Sequence, residues 1–249
     1  MVNFVGAGPG GEDLITLRGA RLLGEADCII YAGSLVNPAL LKMAKEGCEI
    51  YDSAKMTLEE VIDVIKRVEM QGRMTVRLHT GDPCLYGAIR EQMDLLDELQ
   101  ISYEYTPGVS SFCGAAINAE YTLPDVTQTV IITRMEGRTP VPEKEKMHLL
   151  AQAGATMVIF LSSSLLDKVQ EELLKGAYTE DTPAAIVYKA TWPEERSYRC
   201  TVGTLAQTAK ENGVTKTALI MVGDFLGDEY KRSLLYHPGF TTEYREASK

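Results

Sequence analysis

The chain has 249 residues, 45% hydrophobic and 24% charged, an ordinary globular composition that excludes disordered, collagen-like and low-complexity chains. Its 35 acidic and 25 basic residues leave a net charge of −10, which argues against a nucleic-acid-binding surface. Apolar runs such as Cys28–Tyr31 and residues 157–161 have the length of strands and are too short to cross a bilayer.

The sequence also argues against a disulfide framework, a metal site and a secretory signal. The five cysteines are scattered, odd in number and without a CxxC pair, so they indicate neither a disulfide framework nor a zinc site. The three histidines, His79, His148 and His237, lack metal-ligand spacing. Residues 1–6 show no secretory signal. We therefore expect a cytoplasmic protein with no metal site, no membrane and no nucleic acid as partner.

Short β-like runs alternate with helical patterns in the first half, which indicates an α/β fold with a mostly parallel sheet. The predicted strands are residues 2–5, 27–31, 49–51, 74–79 and 102–105. The predicted helices are residues 16–24, a short one from 38, one after 57, then 86–99 and 111–119. Thr57 with Glu60 three residues later predicts a capping box.

The second half repeats the alternation after an irregular linker at residues 120–127. The predicted strands are residues 129–133, 156–161, 184–188, 196–201 and 217–222, and the predicted helices are 143–153, 165–175 and 204–212. The short connection before residue 196 predicts a hairpin, hence a mixed sheet. We expect two α/β domains, residues 1–119 and 120–249, with a ligand cleft between them.

Residues 6–11 (GAGPGG) match the dinucleotide-binding pattern G-x-G-x-x-G directly after a strand. Two features argue against NAD(P). Glu12 and Asp13 precede the helix and would repel phosphates, and the second strand ends at residues 31–33 (YAG) without an acidic residue for a ribose. The alternative is a tight turn at the carboxyl edge of the sheet, over which another ligand can lie.

Two further loops belong to the same edge, where open α/β sheets bind ligands. In residues 80–87, Asp82 could accept hydrogen bonds from a ribose or an amine, or could cap the following turn, and spacing leaves both roles open. In residues 106–111, Ser110 and Ser111 are also ordinary helix N-cap residues.

Three segments, in this order along the chain, resemble those of the tetrapyrrole methylase family. They are the glycine–proline loop at residues 6–11 (GAGPGG), residues 77–87 (RLHTGDPCLYG) and residues 107–111 (PGVSS). The resemblance extends from about residue 2 to residue 223. Several stretches are similar to the branch that methylates carbon 11 of precorrin-4 in cobalamin biosynthesis. They are residues 52–56 (DSAKM), 86–92 (YGAIREQ), 122–124 (TLP), 133–134 (TR) and 138–140 (RTP). Cys84 stands where the family usually has serine.

The resemblance implies an S-adenosylmethionine-dependent methyltransferase of two α/β domains, with the cofactor folded in the cleft between them. Its substrate would be precorrin-4 or cobalt-precorrin-4, and the chain would form a homodimer. The N-terminal domain would line the tetrapyrrole trough, bordered by Gly8. The positions matching cofactor contacts are Pro9, Gly81, Asp82, Leu85, Ser110, Ser111, Leu161, Thr217 and Ala218. Alternatives are another tetrapyrrole or a diphthine methyltransferase, or a non-enzymatic cofactor-binding module.

A tetrapyrrole polycarboxylate needs a local basic surface on a protein of net charge −10. The candidates near strand ends or loops are Lys55, Arg77, Arg134, Arg138 and Lys189. We expect about half of them to pair with acidic residues instead. His79 is the candidate catalytic base, although solvent or a substrate carboxylate could serve equally well.

Overall fold

The computed structural model describes residues 1–117 and 120–248, which form two compact units. Unit 1 comprises Met1–Ala115 and Lys189–Glu195; unit 2 comprises Ala116–Tyr188 and Arg196–Lys249. The boundary expected after residue 119 falls on Asn118 and Ala119, which lie outside the described residues. Lys189–Glu195 groups with unit 1, although the sequence-based boundaries assign it to the second domain.

The sheet of unit 1 is parallel, as the sequence predicts. Its strands are β1 (Val2–Gly6), β2 (Cys28–Tyr31), β3 (Glu49–Asp52), β4 (Thr75–His79) and β5 (Tyr103–Thr106). Over the described part of unit 1 the order is β3-β2-β4-β1-β5, and every neighbouring pair is parallel. Strands β1, β4 and β5 are adjacent, so the loops that follow them share one edge of the sheet.

Helices cover both faces of this sheet, which explains why its central strands are continuously buried. They are α1 (Leu17–Glu25), α2 (Leu58–Met70), α3 (Arg90–Glu98) and α4 (Ser111–Gly114), with 3-10 turns at Glu12–Leu14, Gly33–Leu35, Pro38–Met43 and Ser53–Lys55. One face packs Val5 and Leu78 against Leu23 of α1. The other packs Phe4 against Ile65 of α2 and Leu96 of α3.

Two helix starts show where local sequence signals succeed and fail. The capping box of α2 is confirmed: the Glu60 backbone N donates to Thr57 Oγ1 at 3.3 Å, and the Thr57 N donates to Glu60 Oε2 at 2.8 Å. The helix predicted from residue 86 is wrong at its start, because Tyr86 and Ala88 have φ values of 57° and 48°. This left-handed backbone cannot belong to a right-handed helix, so α3 begins at Arg90.

Unit 2 has the predicted mixed sheet. Its strands are β6 (Val130–Arg134), β7 (Thr156–Phe160), β8 (Pro183–Tyr188), β9 (Arg196–Thr201) and β10 (Ala218–Val222). Over the described residues the order is β6-β7-β10-β8-β9, with β6 and β7 parallel and the other pairs antiparallel. The β8–β9 hairpin is confirmed, with Pro183 opposite Thr201.

The helices of unit 2 pack on a core that includes Met157, Leu173, Ile186 and Ile220. They are α5 (Met147–Leu150), α6 (Leu166–Leu174) and α7 (Leu205–Glu211), with 3-10 turns at Glu143–Glu145, Ala151–Ala153, Val202–Thr204, Asp224–Leu226 and Leu234–Tyr236. The single helix predicted over residues 143–153 is wrong. Lys146, with ψ 140°, interrupts it, and only Met147–Leu150 is α-helical.

Candidate active site

Three loops meet backbone to backbone at the carboxyl edge of the unit 1 sheet. They follow β1, β4 and β5. The Gly8 N donates to the Gly81 O at 3.2 Å, and the Gly81 N donates to the Gly8 O at 2.9 Å. Ligands of open α/β folds bind outside this edge of the sheet. The structure therefore joins the first two loops that the sequence singles out.

Glycine permits this close approach. A Cβ at Gly6 would lie 2.5 Å from the Gly108 Cα and 2.7 Å from the Gly81 O, which is too close for any side chain. Gly81 also has a φ of +58°, which favours glycine. These glycines are required for packing one loop on another, and protein atoms already occupy the space that their side chains would take. This agrees with the structural alternative for the G-x-G-x-x-G pattern.

Asp82 uses its carboxylate to tie the β4 and β5 loops together. Its Oδ1 accepts hydrogen bonds from the Cys84 N at 2.8 Å and from the Tyr105 hydroxyl, and its Oδ2 accepts from the Gly108 N at 2.9 Å. Burial acts to raise the pKa of Asp82, but these hydrogen bonds together outweigh it, and the pKa is lowered. Of the two roles that spacing leaves open, these bonds support the structural one.

The segment Lys189–Glu195 covers the glycine loop of unit 1. The indole of Trp192 occupies the space beside Gly10, where a Cβ would collide with it. The Gly11 N donates to Thr191 Oγ1 at 3.0 Å, and Asn37 Nδ2 donates to the Gly10 O at 2.8 Å. The loop is thus held in place from two sides.

Arg77 and His79 lie inside unit 1, on the sheet face that α2 and α3 cover. The guanidinium of Arg77 donates to the Ile30 O at 2.6 Å and to Gln92 Oε1 at 2.8 Å, and its burial lowers its pKa to about 10. Burial, and then the charge of Arg77, lower the pKa of His79 to about 3. His79 is 4% exposed, and its Nε2 has no hydrogen-bond partner among the described residues. These surroundings count against Arg77 as a substrate contact and His79 as a catalytic base.

The other cofactor candidates of unit 1 lie on the same three loops. They are Pro9, Gly81, Leu85, Ser110 and Ser111. Pro9 and Ser110 are buried, whereas Leu85 and Ser111 are half-buried. The exposed side chains of Tyr105 and Val109 add apolar surface at this edge. Apolar surface beside backbone polar groups suits a nucleoside-containing ligand.

Leu161, Thr217 and Ala218, the cofactor candidates of unit 2, lie at one edge of its sheet, after β7 and at the start of β10. Leu161 and Thr217 have φ values of 53° and 54°, and such strained non-glycine residues concentrate at functional sites. Ser163 links the two strands, because its Oγ donates to the Ala218 O at 3.1 Å and accepts from the Ala218 N at 3.3 Å.

The remaining basic candidates differ in what they bind. Lys55 pairs with Asp52 at 3.7 Å, and Lys189 pairs with Glu194 at 3.5 Å. These two follow the expected pairing with acidic residues. Arg134 donates to the carbonyls of Thr139 and Pro140, and Arg138 is exposed.

A comparison with known protein families identifies the chain. The family model for Tetrapyrrole (Corrin/Porphyrin) Methylases matches residues 1–206, which is more than half of the chain. The chain belongs to the tetrapyrrole methylase family. It is therefore a methyltransferase.

Individual tetrapyrrole methylases resemble it over nearly their whole length. A Methanocaldococcus jannaschii protein named cobalt-precorrin-4 C(11)-methyltransferase is 53% identical, with 100% of this chain and 97% of that protein covered. The crystal structure of a cobalt precorrin-4 methyltransferase matches with a TM-score of 0.86 at 49% identity, covering 89% of this chain and 94% of that one. A Thermus thermophilus uroporphyrin-III C-methyltransferase, solved with S-adenosyl homocysteine, shares the fold at TM-score 0.76 and 24% identity, covering 91% of this chain and 93% of that one.

Sequence reasoning missed three residues that hold candidate site residues in place, each within its own unit. Tyr105 donates to Asp82, Trp192 packs on the glycine loop, and Ser163 holds Ala218. The available signals were weak: Tyr105 directly precedes the Thr-Pro-Gly turn, and Trp192 is the single tryptophan of the chain. Among the described residues, no cluster of three or more His, Cys, Asp or Glu side chains is arranged to hold a metal ion. Within the same residues, no helix is both long enough and apolar enough to span a membrane.

Proposed function

We propose that this chain transfers the methyl group of S-adenosylmethionine to carbon 11 of precorrin-4, in its metal-free or cobalt form, in cobalamin biosynthesis. One observation carries the proposal: the 53% identity, across the full chain, to a protein named for this reaction. Family membership alone supports methyl transfer, whereas identity at this level and coverage supports the particular substrate.

The residues at the carboxyl edge of unit 1 fit S-adenosylmethionine. Val109 and Tyr105 offer exposed apolar surface, and the loops that carry Pro9, Leu85 and Ser110 offer backbone polar groups. Leu161, Thr217 and Ala218 of unit 2 stay predictions for the same ligand. When bound, S-adenosylmethionine supplies a methyl group on a positively charged sulfur that is already electrophilic.

The chain's own contribution is binding, orientation and the exclusion of water. Asp82 is engaged by three protein donors and His79 is buried, so these two groups are poorly placed to exchange protons with a substrate. An electron-rich macrocycle carbon is already a nucleophile. Holding it in line with the methyl group can therefore supply much of the acceleration. A proton released by the macrocycle passes to solvent or to a substrate carboxylate.

Incubation with a methyl donor tests the proposed reaction. The chain is mixed with S-adenosylmethionine carrying a ¹³C methyl group and, in parallel, with precorrin-4, cobalt-precorrin-4 or uroporphyrinogen III. We expect mass spectrometry to show one added methyl group on a precorrin-4 form and carbon NMR to place it at carbon 11. Methylation of uroporphyrinogen III alone, or no methylation, would overturn the proposal. Heat-denatured protein is the control.

The proposal includes a homodimer that acts in the cytoplasm. The C-terminal segment supports an interface, because it exposes large apolar side chains, which mark interaction surfaces when they are grouped. They are Tyr230, Leu234, Leu235, Tyr236, Phe240 and Tyr244. Light scattering on the purified chain should give twice the mass of one chain, and a single-chain mass would contradict the homodimer.

A further inference from the structure

Unit 2 contains a cavity of about 580 Å³ beside the loop that follows β6. Its walls are formed by residues of the β6 loop, the end of β7 and the start of α6: Arg134, Met135, Gly137, Arg138, Thr139, Leu161, Ser164, Leu165 and Lys168. A cavity of this volume can hold a substantial part of a small-molecule ligand.

Among the described residues, the cavity is lined by three basic side chains and no acidic one, although acidic residues outnumber basic ones 35 to 25 in the chain. The basic residues are Arg134, Arg138 and Lys168. Such a one-sided charge at a concave surface favours anions.

The three basic side chains have different roles. Arg134 donates to the Pro140 carbonyl at 2.7 Å and to the Thr139 carbonyl at 3.2 Å, so it stabilises the loop that forms the wall. Within the described parts of the chain, Arg138 and Lys168 make no hydrogen bond or ion pair. Their charges are available to a ligand.

The cavity also has an apolar wall. Leu161, which is also a predicted cofactor contact, borders the cavity, is 58% exposed and has a φ of 53°, a backbone conformation that leucine rarely adopts. The ligand that fits is therefore an apolar framework that carries anionic groups.

We propose that this cavity binds a carboxylate arm of the tetrapyrrole substrate, with Arg138 and Lys168 as its cationic partners. The inference rests on the proposed function. S-adenosylmethionine also has a carboxylate, but its ammonium and sulfonium groups make it a net cation. A cavity whose charged lining residues, among those that the structure describes, are all basic repels these groups and offers the ammonium no carboxylate. The polyanionic tetrapyrrole has no such conflict.

Direct binding tests the inference without turnover. The double variant R138Q/K168M is titrated with uroporphyrin III, a stable polycarboxylate, by fluorescence, and with S-adenosyl homocysteine by calorimetry. We expect the Kd for uroporphyrin III to rise about tenfold or more, because two charge-assisted contacts are lost. The Kd for S-adenosyl homocysteine should stay within about twofold, since it does not use these cations.

The matched control is K144M/R196Q, which removes the same charges from exposed positions of unit 2 outside the cavity. It should leave the uroporphyrin III Kd within about twofold, because distant exposed charges are screened. Equally weakened uroporphyrin III binding in both double variants would overturn the proposed role of the cavity. A loss of S-adenosyl homocysteine affinity in R138Q/K168M would overturn it as well. Failure of the wild-type chain to methylate precorrin-4 would overturn the proposed function alone, since this titration needs no reaction.

Discussion

The side chain of Asp82 accepts hydrogen bonds from Cys84, Tyr105 and Gly108, groups up to 26 residues away along the chain. These contacts change the expectation for its mutation. A carboxylate that contacted only a ligand could be removed with little effect on folding, whereas this one connects the β4 and β5 loops. Losing an acceptor leaves these partly buried hydrogen bonds unmade, which lowers the free energy of unfolding.

We therefore expect Asp82→Asn to lower the free energy of unfolding by about 1–3 kcal/mol at neutral pH. The lowered pKa sets the pH dependence. The carboxylate's stabilisation is complete above the unfolded pKa of 3.8 and is lost as the pH falls through the lower folded pKa. The difference in free energy of unfolding between wild type and Asp82→Asn should therefore shrink as the pH falls through that range, as measured by urea unfolding. Asp63→Asn, at an exposed position of α2, is the control. Unchanged stability with weakened cofactor binding would restore the ligand role.

His79 is the second residue whose surroundings determine its chemistry. The unfolded chain takes up a proton near pH 6.5, whereas the folded chain resists protonation until about pH 3. Folding stability should therefore fall by about 1.4 kcal/mol per pH unit as the pH drops below 6.5.

His79→Phe should remove this dependence, because phenylalanine does not titrate. Relative to wild type, the free energy of unfolding of the variant should rise by about 2.5 kcal/mol between neutral pH and about pH 4.5, measured by denaturant unfolding. His237→Gln, at an exposed position, should keep the wild-type slope. An unchanged slope in His79→Phe would contradict the low pKa. A folded His79→Phe chain without methyl transfer would restore the catalytic role expected from the sequence.

Among the structural elements, the glycine loop and the indole of Trp192 pack directly against each other. Gly10 has a φ of +154°, and any side chain there would meet the indole. Gly10→Ala should lower the free energy of unfolding by about 1–3 kcal/mol through overpacking and backbone strain. Since Trp192 is the single tryptophan, its fluorescence reports on this loop, and its emission should shift to the red as the ring moves toward water.

Gly47→Ala separates the collision from backbone strain. Gly47 also has a positive φ, of 78°, but a Cβ there would meet nothing within 4 Å. Gly47→Ala should therefore lower the free energy of unfolding through backbone strain, but it should leave the emission of Trp192 unshifted. In addition, Gly10→Ala should cost less in a Trp192→Ala background than in the wild type. Equal costs in the two backgrounds would mean that the contact between loop and indole is unimportant.

At the scale of the whole molecule, ligand choice distinguishes the two interpretations of the glycine loop. Saturating S-adenosyl homocysteine, at about 100 times its Kd, should stabilise the chain by about 2.7 kcal/mol, because it binds the folded state. For a chain of this length that is a Tm increase of about 5–10 °C, measurable by calorimetry. NAD at the same concentration is the matched ligand and should leave Tm unchanged. A shift with NAD and none with S-adenosyl homocysteine would reverse the cofactor assignment.

Most of the fold could be predicted from the sequence. Each predicted strand agrees with the observed one to within one residue at either end. Strands are bounded locally, since a short apolar run ends at glycine, proline or polar residues within a few positions. The α2 capping box and the β8–β9 hairpin are local for the same reason. The start of α3 was missed, because the left-handed Tyr86 and Ala88 have no local signal comparable to glycine.

The sequence alone also determined the family, since its loop motifs lie in a characteristic order along the chain. Only the tertiary structure decided what individual side chains do. Arg77 and His79 are placed on the covered face of the sheet, and Asp82 receives donors from β5 and the loop after it. Trp192 reaches a loop that lies 182 residues earlier in the chain. Burial and hydrogen-bond partners set the pKa and the availability of each polar group, and both come from residues that are distant in sequence.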